Sequence, residues 1–369
     1  MKHHLKYTVH FVILIFISLS CSGPDLNEEP VRPKNIILLI GDGMGLSQIS
    51  SSYFQKETEP NFSRFNQIGL IKTSSSSHKI TDSAAGATAF ASGRKTYNGA
   101  IGMDADTTSI KTILELTKNR DLAAGVISTS SITHATPACF YAHVPSRSMN
   151  EEIARQLAGS SVDFFAGAGL KYFKDREDGA DYYDSLISKN FVVDTLELVN
   201  PAEMCSDCRY AYLDTASAMP RMLDGRGDFL PNATSLGLEF LSKDEDGFFL
   251  MIEGSQIDWG GHSNDADYIY TEVLDFDKVI GLALDFAEKD GNTLVIVTAD
   301  HETGGFTLAS TPSEDGNWSD YDKITGSFST GGHSSTLIPV FAYGPGSEFF
   351  NGIYENTEIY HKMVRARGF

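Results

Sequence analysis

The chain has 369 residues, enough for one large domain or two modest ones, and 41% of them are apolar against 21% charged. This is the composition of an ordinary globular protein, and it excludes a predominantly disordered or collagen-like chain. The net charge of −20 repels polyanions over long range, so a protein that grips nucleic acid by general electrostatic attraction is excluded as well.

Residues 1–20 have the pattern of a secretory signal peptide, because a basic start precedes an apolar run over residues 11–19 and small residues follow. The run is shorter than the roughly 20 apolar residues of a permanent membrane-spanning helix. In the preferred interpretation Cys21 becomes lipidated and anchors the protein to a membrane. In the alternative, cleavage after Ser20 releases a free protein. Residues 21–32 are predicted to be a flexible tether. The protein is therefore expected to be exported, either periplasmic, anchored in the outer membrane by its lipid, or secreted.

Short apolar, largely β-branched runs alternate along the chain with helical patterns. Strands are predicted over residues 35–40, 124–129, 248–252, 293–298 and 337–343. None of them alternates between apolar and polar residues, which indicates strands buried on both faces of a parallel sheet. Helices are predicted over residues 108–118 and 270–289. This alternation predicts an α/β fold with a mostly parallel central sheet.

Residues 172–226 are more polar and less periodic, which predicts a surface insertion or cap. The cysteines are too few for a disulfide framework. Cys205 and Cys208 are expected to form a local disulfide or to stay as two thiols, since no second cysteine pair could complete a thiolate zinc site. Cys139 lies in an apolar setting that predicts a buried, inert thiol.

Polar residues of metal-ligating type follow the predicted strands. Asp42 follows the first strand, Thr136 lies just beyond the second, Glu253 ends the third, and Asp300 with His301 follows the fourth. In open α/β sheets, ligands bind beyond the carboxyl ends of the strands. These side chains are therefore predicted to meet at one edge of the sheet.

Further candidate ligands lie at suggestive spacings. Asp258 and His262 are four residues apart, which places both on one face of a helical turn, and His333 follows a glycine pair. Each of these alone is more often an ordinary structural or surface pair. Together with Asp300 and His301 they form an oxygen and nitrogen ligand set without thiolates, which favours catalytic zinc.

Ser83 stands at the start of a predicted small-residue helix, where free N–H groups and the helix dipole favour an oxyanion. The alternative is an ordinary helix N-cap formed by Asp82 or Ser83. The sequence contains neither a Gly-x-Ser-x-Gly nucleophile elbow nor a Walker loop, so a hydrolase triad is not indicated.

Several motifs in order resemble those of one family. They are GDGMG at residues 41–45, TDSAA at 81–85, HATP at 134–137, HVPSR at 143–147, EGSQID at 253–258, TADH at 298–301 and GH at 332–333. They resemble alkaline phosphatases, especially the short enzymes of cold-living marine bacteria. The resemblance implies a three-layer sandwich around a mostly parallel sheet, with residues 33–369 as the catalytic domain. It also implies an exported homodimer that hydrolyses small phosphomonoesters with two Zn²⁺ and one Mg²⁺ per chain.

The resemblance also implies roles for individual residues. Ser83 matches the nucleophile that becomes a phosphoserine, and Arg147 matches the guanidinium that binds two phosphate oxygens, a task for which its planar fork is better suited than lysine. The ligands of the first zinc match Asp258, His262 and His333; those of the second match Asp42, Asp300 and His301; and those of the magnesium match Asp42, Glu253 and Thr136.

Two residues depart from the best-known enteric bacterial form, which has Asp at the position of His134 and Lys at the position of Trp259. A neutral imidazole is a poorer partner for Mg²⁺ than a carboxylate, so His134 is expected to act through a water or from outside the ligand shell. Trp259 offers only an indole N–H, which leaves more of the phosphate binding to Arg147.

Two other functions compete with phosphomonoester hydrolysis. The first is a phosphodiesterase or sulfatase of the same superfamily, which shares the two-metal ligand set, although the sulfatase motif Cys/Ser-x-Pro-x-Arg is absent around Ser83. The second is a non-catalytic, lipid-anchored phosphate-binding protein with structural metals.

Overall fold

The computed structural model describes residues 31–369 except 175, 200–204, 206, 314, 315 and 317. The predicted signal peptide and Cys21 lie outside these residues. Within them, no helix is both long enough and apolar enough to cross a membrane.

The described strands are β1 (Asn35–Gly41), β2 (Gln67–Lys72), β3 (Ala123–Ser131), β4 (Phe164–Ala168), β5 (Phe191–Asp194), β6 (Arg209–Asp214), β7 (Phe248–Gly254), β8 (Thr293–Thr298), β9 (Glu302–Thr303), β10 (Thr307–Pro312), β11 (Ser319–Ser327), β12 (His333–Ser334), β13 (Ile338–Tyr343) and β14 (Gly352–Glu355). The described α-helices are α1 (Leu46–Gln55), α2 (Ser83–Ser92), α3 (Ile113–Lys118), α4 (Ala135–Ala138), α5 (Asn150–Gly159), α6 (Tyr182–Ser188), α7 (Phe229–Leu241), α8 (Gln256–His262), α9 (Ala266–Asp290) and α10 (Glu358–Arg367).

Ten of the described strands form one sheet, in the order β14-β2-β13-β8-β1-β7-β3-β4-β6-β5. From β8 to β5 every neighbouring pair is parallel. β1, β7 and β8 are buried at every position, as their continuous apolar sequences predict. The α/β fold with a mostly parallel sheet is confirmed.

The strand β13 runs antiparallel to both of its neighbours, β8 and β2. Its apolar run correctly predicts a buried strand, but the expectation that it is parallel is wrong. An apolar run reports burial on both faces and carries no information on direction. The chain leaves β8 at the carboxyl edge of the sheet and then forms β9 to β12 before it re-enters as β13. It therefore returns in the opposite direction.

Helices cover both faces of the sheet. On one face α7 contacts β3, β4 and β7, and α9 contacts β8, β1 and β7, with α1 and α8 packed on α9. On the other, α3 and α4 contact β3 and β7, α10 contacts β1, and α2 packs on α4 and α10. α3 is shorter than predicted, because Thr112 and Glu115 form a capping box that starts the helix at Ile113.

The described part of residues 172–226 is built into the central sheet at one edge. β6 pairs with β4, and β5 pairs with β6. Cys205 and Cys208 are joined in a disulfide bond just before β6. Cys139 is a buried free thiol, and burial raises its pKa to about 12, which agrees with an inert role.

Candidate active site

The carboxyl ends of four neighbouring strands, β8, β1, β7 and β3, meet at one edge of the sheet. Asp42 directly follows β1, and Glu253 lies at the end of β7. Asp300 follows β8 after one intervening residue, and Thr136 lies in α4, just beyond β3. The parallel register therefore brings these residues together, as the sequence predicts.

A first cluster of ligand-type atoms contains Asp258, His262 and His333. His262 Nε2 lies 3.4 Å from Asp258 Oδ2, and the Nε2 atoms of the two histidines are 3.2 Å apart. The Nδ1 atoms of His262 and His333 lie 2.8 Å and 2.9 Å from the carbonyl oxygens of Gly331 and Thr81. Since a carbonyl only accepts, each Nδ1 is the protonated donor, which leaves both Nε2 lone pairs facing the same point.

A second cluster lies deeper. His301 Nε2 is 3.5 Å from Asp42 Oδ1 and 3.3 Å from Asp300 Oδ2, and all three side chains are fully buried. Asp258 also belongs here, because one of its oxygens lies within reach of Asp42 and His301. The first and second clusters therefore share Asp258, a connection that the sequence motifs do not reveal.

A third cluster combines Asp42, Glu253 and His134. Burial raises the pKa of Glu253 to about 7, and Ser255 Oγ donates to its Oε2. Burial, assisted by the positive charge of Arg147, lowers the pKa of His134 to about 3, so its imidazole is neutral. Its Nε2 accepts a hydrogen bond from Arg147 Nη2 at 3.0 Å, so the proton of the neutral ring is on Nδ1.

The chemistry of these clusters fits divalent cations. The buried atoms of these clusters that lack a hydrogen-bond partner in the described residues include both carboxylate oxygens of Asp42, Oδ2 of Asp300, Oε1 of Glu253 and Oγ1 of Thr136. Buried polar atoms are nearly always paired. Burial, together with the neighbouring carboxylates, raises the pKa of Asp42 well above its usual range. Bound cations would satisfy the orphaned atoms and offset the repulsion among the carboxylates.

Ser83 is the first residue of α2, and its Oγ lies 3.4 Å from His301 Nε2. The N-cap is Asp82, whose Oδ1 accepts a hydrogen bond from the backbone N–H of Ala85 at 3.0 Å. The capping interpretation and the nucleophile interpretation are therefore compatible. Because Asp82 caps the helix, the Ser83 hydroxyl is free to face the second cluster.

Arg147 completes the site. Its Nη1 donates to Asp82 Oδ2 at 3.2 Å, and its backbone N–H donates to the Gly99 carbonyl at 2.7 Å. Trp259 lies edge-on to the His134 ring, with centroids 6.2 Å apart. The guanidinium thus stands between Asp82 and His134, beside Ser83, with 30% of its side chain exposed to solvent.

Comparison with known proteins assigns the chain to a family. The family model described as alkaline phosphatase matches residues 33–319. Alkaline phosphatase 3 of Bacillus subtilis is 32% identical over 92% of this chain and 90% of its own length. The chain belongs to the alkaline phosphatase family. It is a phosphatase, and members of this family are metal-dependent enzymes that act on phosphomonoesters.

Other relatives agree with this assignment. The alkaline phosphatase of Escherichia coli is 30% identical over 93% of this chain and 87% of its own length. The structure of the alkaline phosphatase from the Antarctic bacterium TAB5 is 55% identical, with a TM-score of 0.91 over 92% of this chain and 99% of that one. Two variants of that enzyme, in which a histidine is replaced by Asp or Glu, are described with Mg bound in a site called M3. These comparisons lend no support to the diesterase or to the non-catalytic lipoprotein.

The structure adds residues to this alkaline phosphatase site that sequence reasoning misses. Thr303 Oγ1 donates to Asp258 Oδ1 and lies 3.2 Å from His301 Nδ1, so it contacts residues of two clusters. Its position two residues after His301 is the available signal. The sequence suggests only a helix cap for Asp82, and nothing in it indicates the contact with Arg147, 65 residues away.

Proposed function

We propose that this phosphatase hydrolyses phosphomonoesters in two in-line transfers through a phosphoserine on Ser83. The observation that supports the proposal most directly is the position of the Ser83 hydroxyl. It lies at the N-terminus of α2, 3.4 Å from His301 Nε2, and it does not cap the helix because Asp82 does. The first N–H groups of a helix and its dipole favour negative charge at this point.

The chain's own residues account for substrate binding. The Arg147 guanidinium donates to two phosphoryl oxygens, and Asp82 and His134 hold its fork in place. The bond from Ser83 Oγ to phosphorus forms as the ester bond to the alcohol breaks. Water then breaks the bond to Oγ and releases inorganic phosphate. Two in-line steps give net retention at phosphorus.

We propose that the clusters hold two Zn²⁺ and one Mg²⁺. Asp258, His262 and His333 would bind the first zinc, and Asp42, Asp300 and His301 the second, since imidazole and carboxylate together suit zinc. Bound divalent cations act as Lewis acids that neutralise phosphoryl charge and lower the pKa of the nucleophile.

For the third site we propose Asp42, Glu253 and Thr136 as magnesium ligands. A ring nitrogen of His134 lies near the oxygens of Asp42 and Glu253, but Nε2 accepts from Arg147 and Nδ1 then carries the ring proton, so we propose that His134 acts from outside the ligand shell. Because Mg²⁺ prefers oxygen ligands, an imidazole here weakens magnesium binding. The magnesium-bound His-to-Asp and His-to-Glu variants of the Antarctic relative support this assignment.

Brief reaction with a labelled aryl phosphate, acid quench and peptide mapping test the mechanism. The label is expected on Ser83 and is expected to be lost in Ser83→Ala. Label on another residue, or inversion at phosphorus, would refute the two-step route. A bis-aryl phosphate assayed in parallel should turn over far more slowly than the monoester. Chelation should abolish activity, and zinc should restore part of it.

We also propose that the enzyme is a homodimer. Apolar side chains stand exposed on α1 and on the β10–β11 hairpin, which contact each other: Phe54 is 61% exposed, Trp318 79% and Tyr321 86%. We propose that these side chains form part of the subunit interface, since exposed apolar surface is common where proteins associate. Light scattering on the purified protein should give about twice the mass of the chain, and Trp318→Glu combined with Tyr321→Glu should shift it to monomer. A monomeric wild type would contradict the proposal.

Export to the periplasm, with a lipid anchor on Cys21, is the localisation that we propose from the N-terminal sequence. Mass spectrometry of the mature protein should find a lipidated Cys21 as its first residue. A free N-terminus at Cys21 would indicate simple cleavage, and an intact Met1 would exclude export by this route.

A further inference from the structure

Glu302 is a buried carboxylate beside the metal clusters that belongs to none of them. It lies directly after His301, and only 4% of the residue is exposed. Its strand β9 pairs antiparallel with β12, so that Ser334 lies opposite Glu302 and His333 lies opposite Thr303. The segment that carries His301 and the loop that carries His333 are therefore in direct contact at Glu302.

Three donors from three parts of the chain converge on this carboxylate. Ser334 Oγ donates to Oε2. Gln48 Nε2 donates to Oε1 at 3.0 Å, and the backbone N–H of Phe306 donates to the same oxygen at 2.9 Å. The carboxylate accepts all three hydrogen bonds. An apolar side chain of similar size would lose them all, whereas a glutamine amide could still donate to the Ser334 hydroxyl.

Gln48 extends this contact to α1. It is fully buried, and its Nε2 also donates to the Thr303 carbonyl at 2.9 Å. The backbone at Gly45 approaches Glu302 so closely that a Cβ on Gly45 would lie 2.5 Å from Glu302 Cγ. Glycine in the GDGMG motif thus allows the start of α1 to pack directly against Glu302.

Before His333, the loop is held by backbone hydrogen bonds of Ser329, Thr330 and Gly332 to Gly304. After His333, it is held by the pairing of β12 with β9 and by the contact of Ser334 with Glu302. β9 and β12 are two residues long each, and so short a ladder gives little stability by itself. Ser329, Thr330 and Gly331, which precede His333, are exposed. By contrast, Asp42, Asp300 and His301 are fully buried at the ends of long central strands. The first cluster therefore takes one of its three residues from the loop, whereas Asp42, Asp300 and His301 of the second all lie outside it.

We propose that Glu302 is a positioning residue that, together with Gln48, holds Ser334 and thereby fixes His333 in the first metal cluster. This inference rests on the proposed two-zinc function. Loss of the Glu302–Ser334 contact lets the loop move, so the first zinc is held more weakly. The second zinc keeps all of its ligands and its affinity.

Zinc affinity measured by chelator competition on the folded holoenzyme tests this directly and needs no activity assay. In Ser334→Ala and in Glu302→Leu, one of the two zinc ions is expected to bind about tenfold more weakly, and it should be the ion that is lost in His333→Ala. Ser334→Thr keeps the hydroxyl and should retain wild-type affinity. Ser335→Ala is the matched control, because that neighbouring serine is exposed and its side chain makes no hydrogen bond to the described residues.

The double variant Glu302→Leu/Ser334→Ala should show no more loss than the larger single effect, since both changes break the Glu302–Ser334 contact. Equal weakening of both zinc ions would overturn the inference, because it would indicate general destabilisation. Unchanged zinc affinity in both single variants would overturn it as well, while two tightly bound zinc ions in the wild type would leave the proposed function standing. A wild type that binds no zinc would overturn both.

Discussion

The carboxylate of Asp82 accepts hydrogen bonds from two directions, from Arg147 Nη1 at 3.2 Å and from the Ala85 N–H at 3.0 Å. It therefore positions both the Arg147 guanidinium, which we propose binds phosphate, and the helix that begins with Ser83. The same carboxylate places a negative charge beside a dianionic substrate, so its two effects on binding oppose each other.

Substitution of Asp82 separates these effects. Asp82→Asn keeps an oxygen that can cap α2 and removes the charge, so phosphate should inhibit roughly fivefold more strongly. Asp82→Ala also loses the cap, and its free energy of unfolding should fall by about 1 kcal/mol. Phosphate inhibition constants and urea unfolding of both variants are the measurements. Weaker phosphate inhibition in Asp82→Asn would show that positioning of Arg147 outweighs the removed repulsion.

Trp259 contributes no positive charge to the phosphate site. An ammonium near a dianion at partial exposure contributes on the order of 1 to 2 kcal/mol, or about one decade in affinity. Trp259→Lys should therefore strengthen phosphate inhibition about tenfold, at fixed pH and metal content. Trp259→Phe is the control for loss of the indole against His134. If Trp259→Lys leaves inhibition unchanged while the zinc content is intact, the position does not tune product affinity.

His134→Asp should tighten magnesium binding, because a carboxylate oxygen replaces the imidazole nitrogen beside Asp42 and Glu253. The Mg²⁺ concentration that gives half-maximal activity should fall by about tenfold. His134→Asn, which offers an oxygen without charge, should lie between wild type and His134→Asp. A magnesium requirement that does not change across the three proteins would place His134 outside the third site.

The pair of His143 and Glu115 lies outside the candidate metal clusters, with His143 Nε2 3.0 Å from Glu115 Oε1. We expect this pair to make the stability of the protein depend on pH. Burial alone would lower the pKa of His143, but its hydrogen bonds to Glu115 and the Gly102 carbonyl raise it above 6.5. Burial alone would raise the pKa of Glu115, but the bonds from His143 and Thr112 lower it below 4.5.

The sign of the pH dependence follows from these directions. The pKa of His143 is higher in the folded than in the unfolded protein, so binding of its proton stabilises the folded state. This stabilisation is complete below pH 6.5 and is lost as the pH rises through the raised pKa of His143. The wild type should therefore exceed Glu115→Gln in unfolding free energy by more at about pH 6 than at about pH 9. Urea unfolding at both values measures this, with His143→Gln as the second arm. A difference that does not depend on pH would show that the pair is not charged.

Sequence reasoning locates most of the candidate site because the proposed metal ligands follow strands, and buried strands have a strong local signature. Asp42, Glu253 and Asp300 can be assigned to one edge of the sheet from the sequence alone, since parallel strands end at the same edge. Weaker strands such as β2 lack this signature. The six residues of β2 alternate in burial and include a glycine, so they form no continuous apolar run. The predicted helix over residues 108–118 is too long at its start, because its boundary depends on the capping box at Thr112.

By itself, the amino-acid sequence determined the types of ligand, the helix that begins at Ser83 and the order of the buried strands along the chain, because each of these depends on neighbours a few residues away. Only the tertiary structure decided that Asp258 belongs to two candidate metal-binding clusters, that β13 runs antiparallel to β8, and that Gln48 contacts Glu302, 254 residues away in the sequence. Such contacts depend on where the chain returns to the sheet edge, and a hydrogen bond between distant residues leaves no periodic pattern in the sequence of either partner.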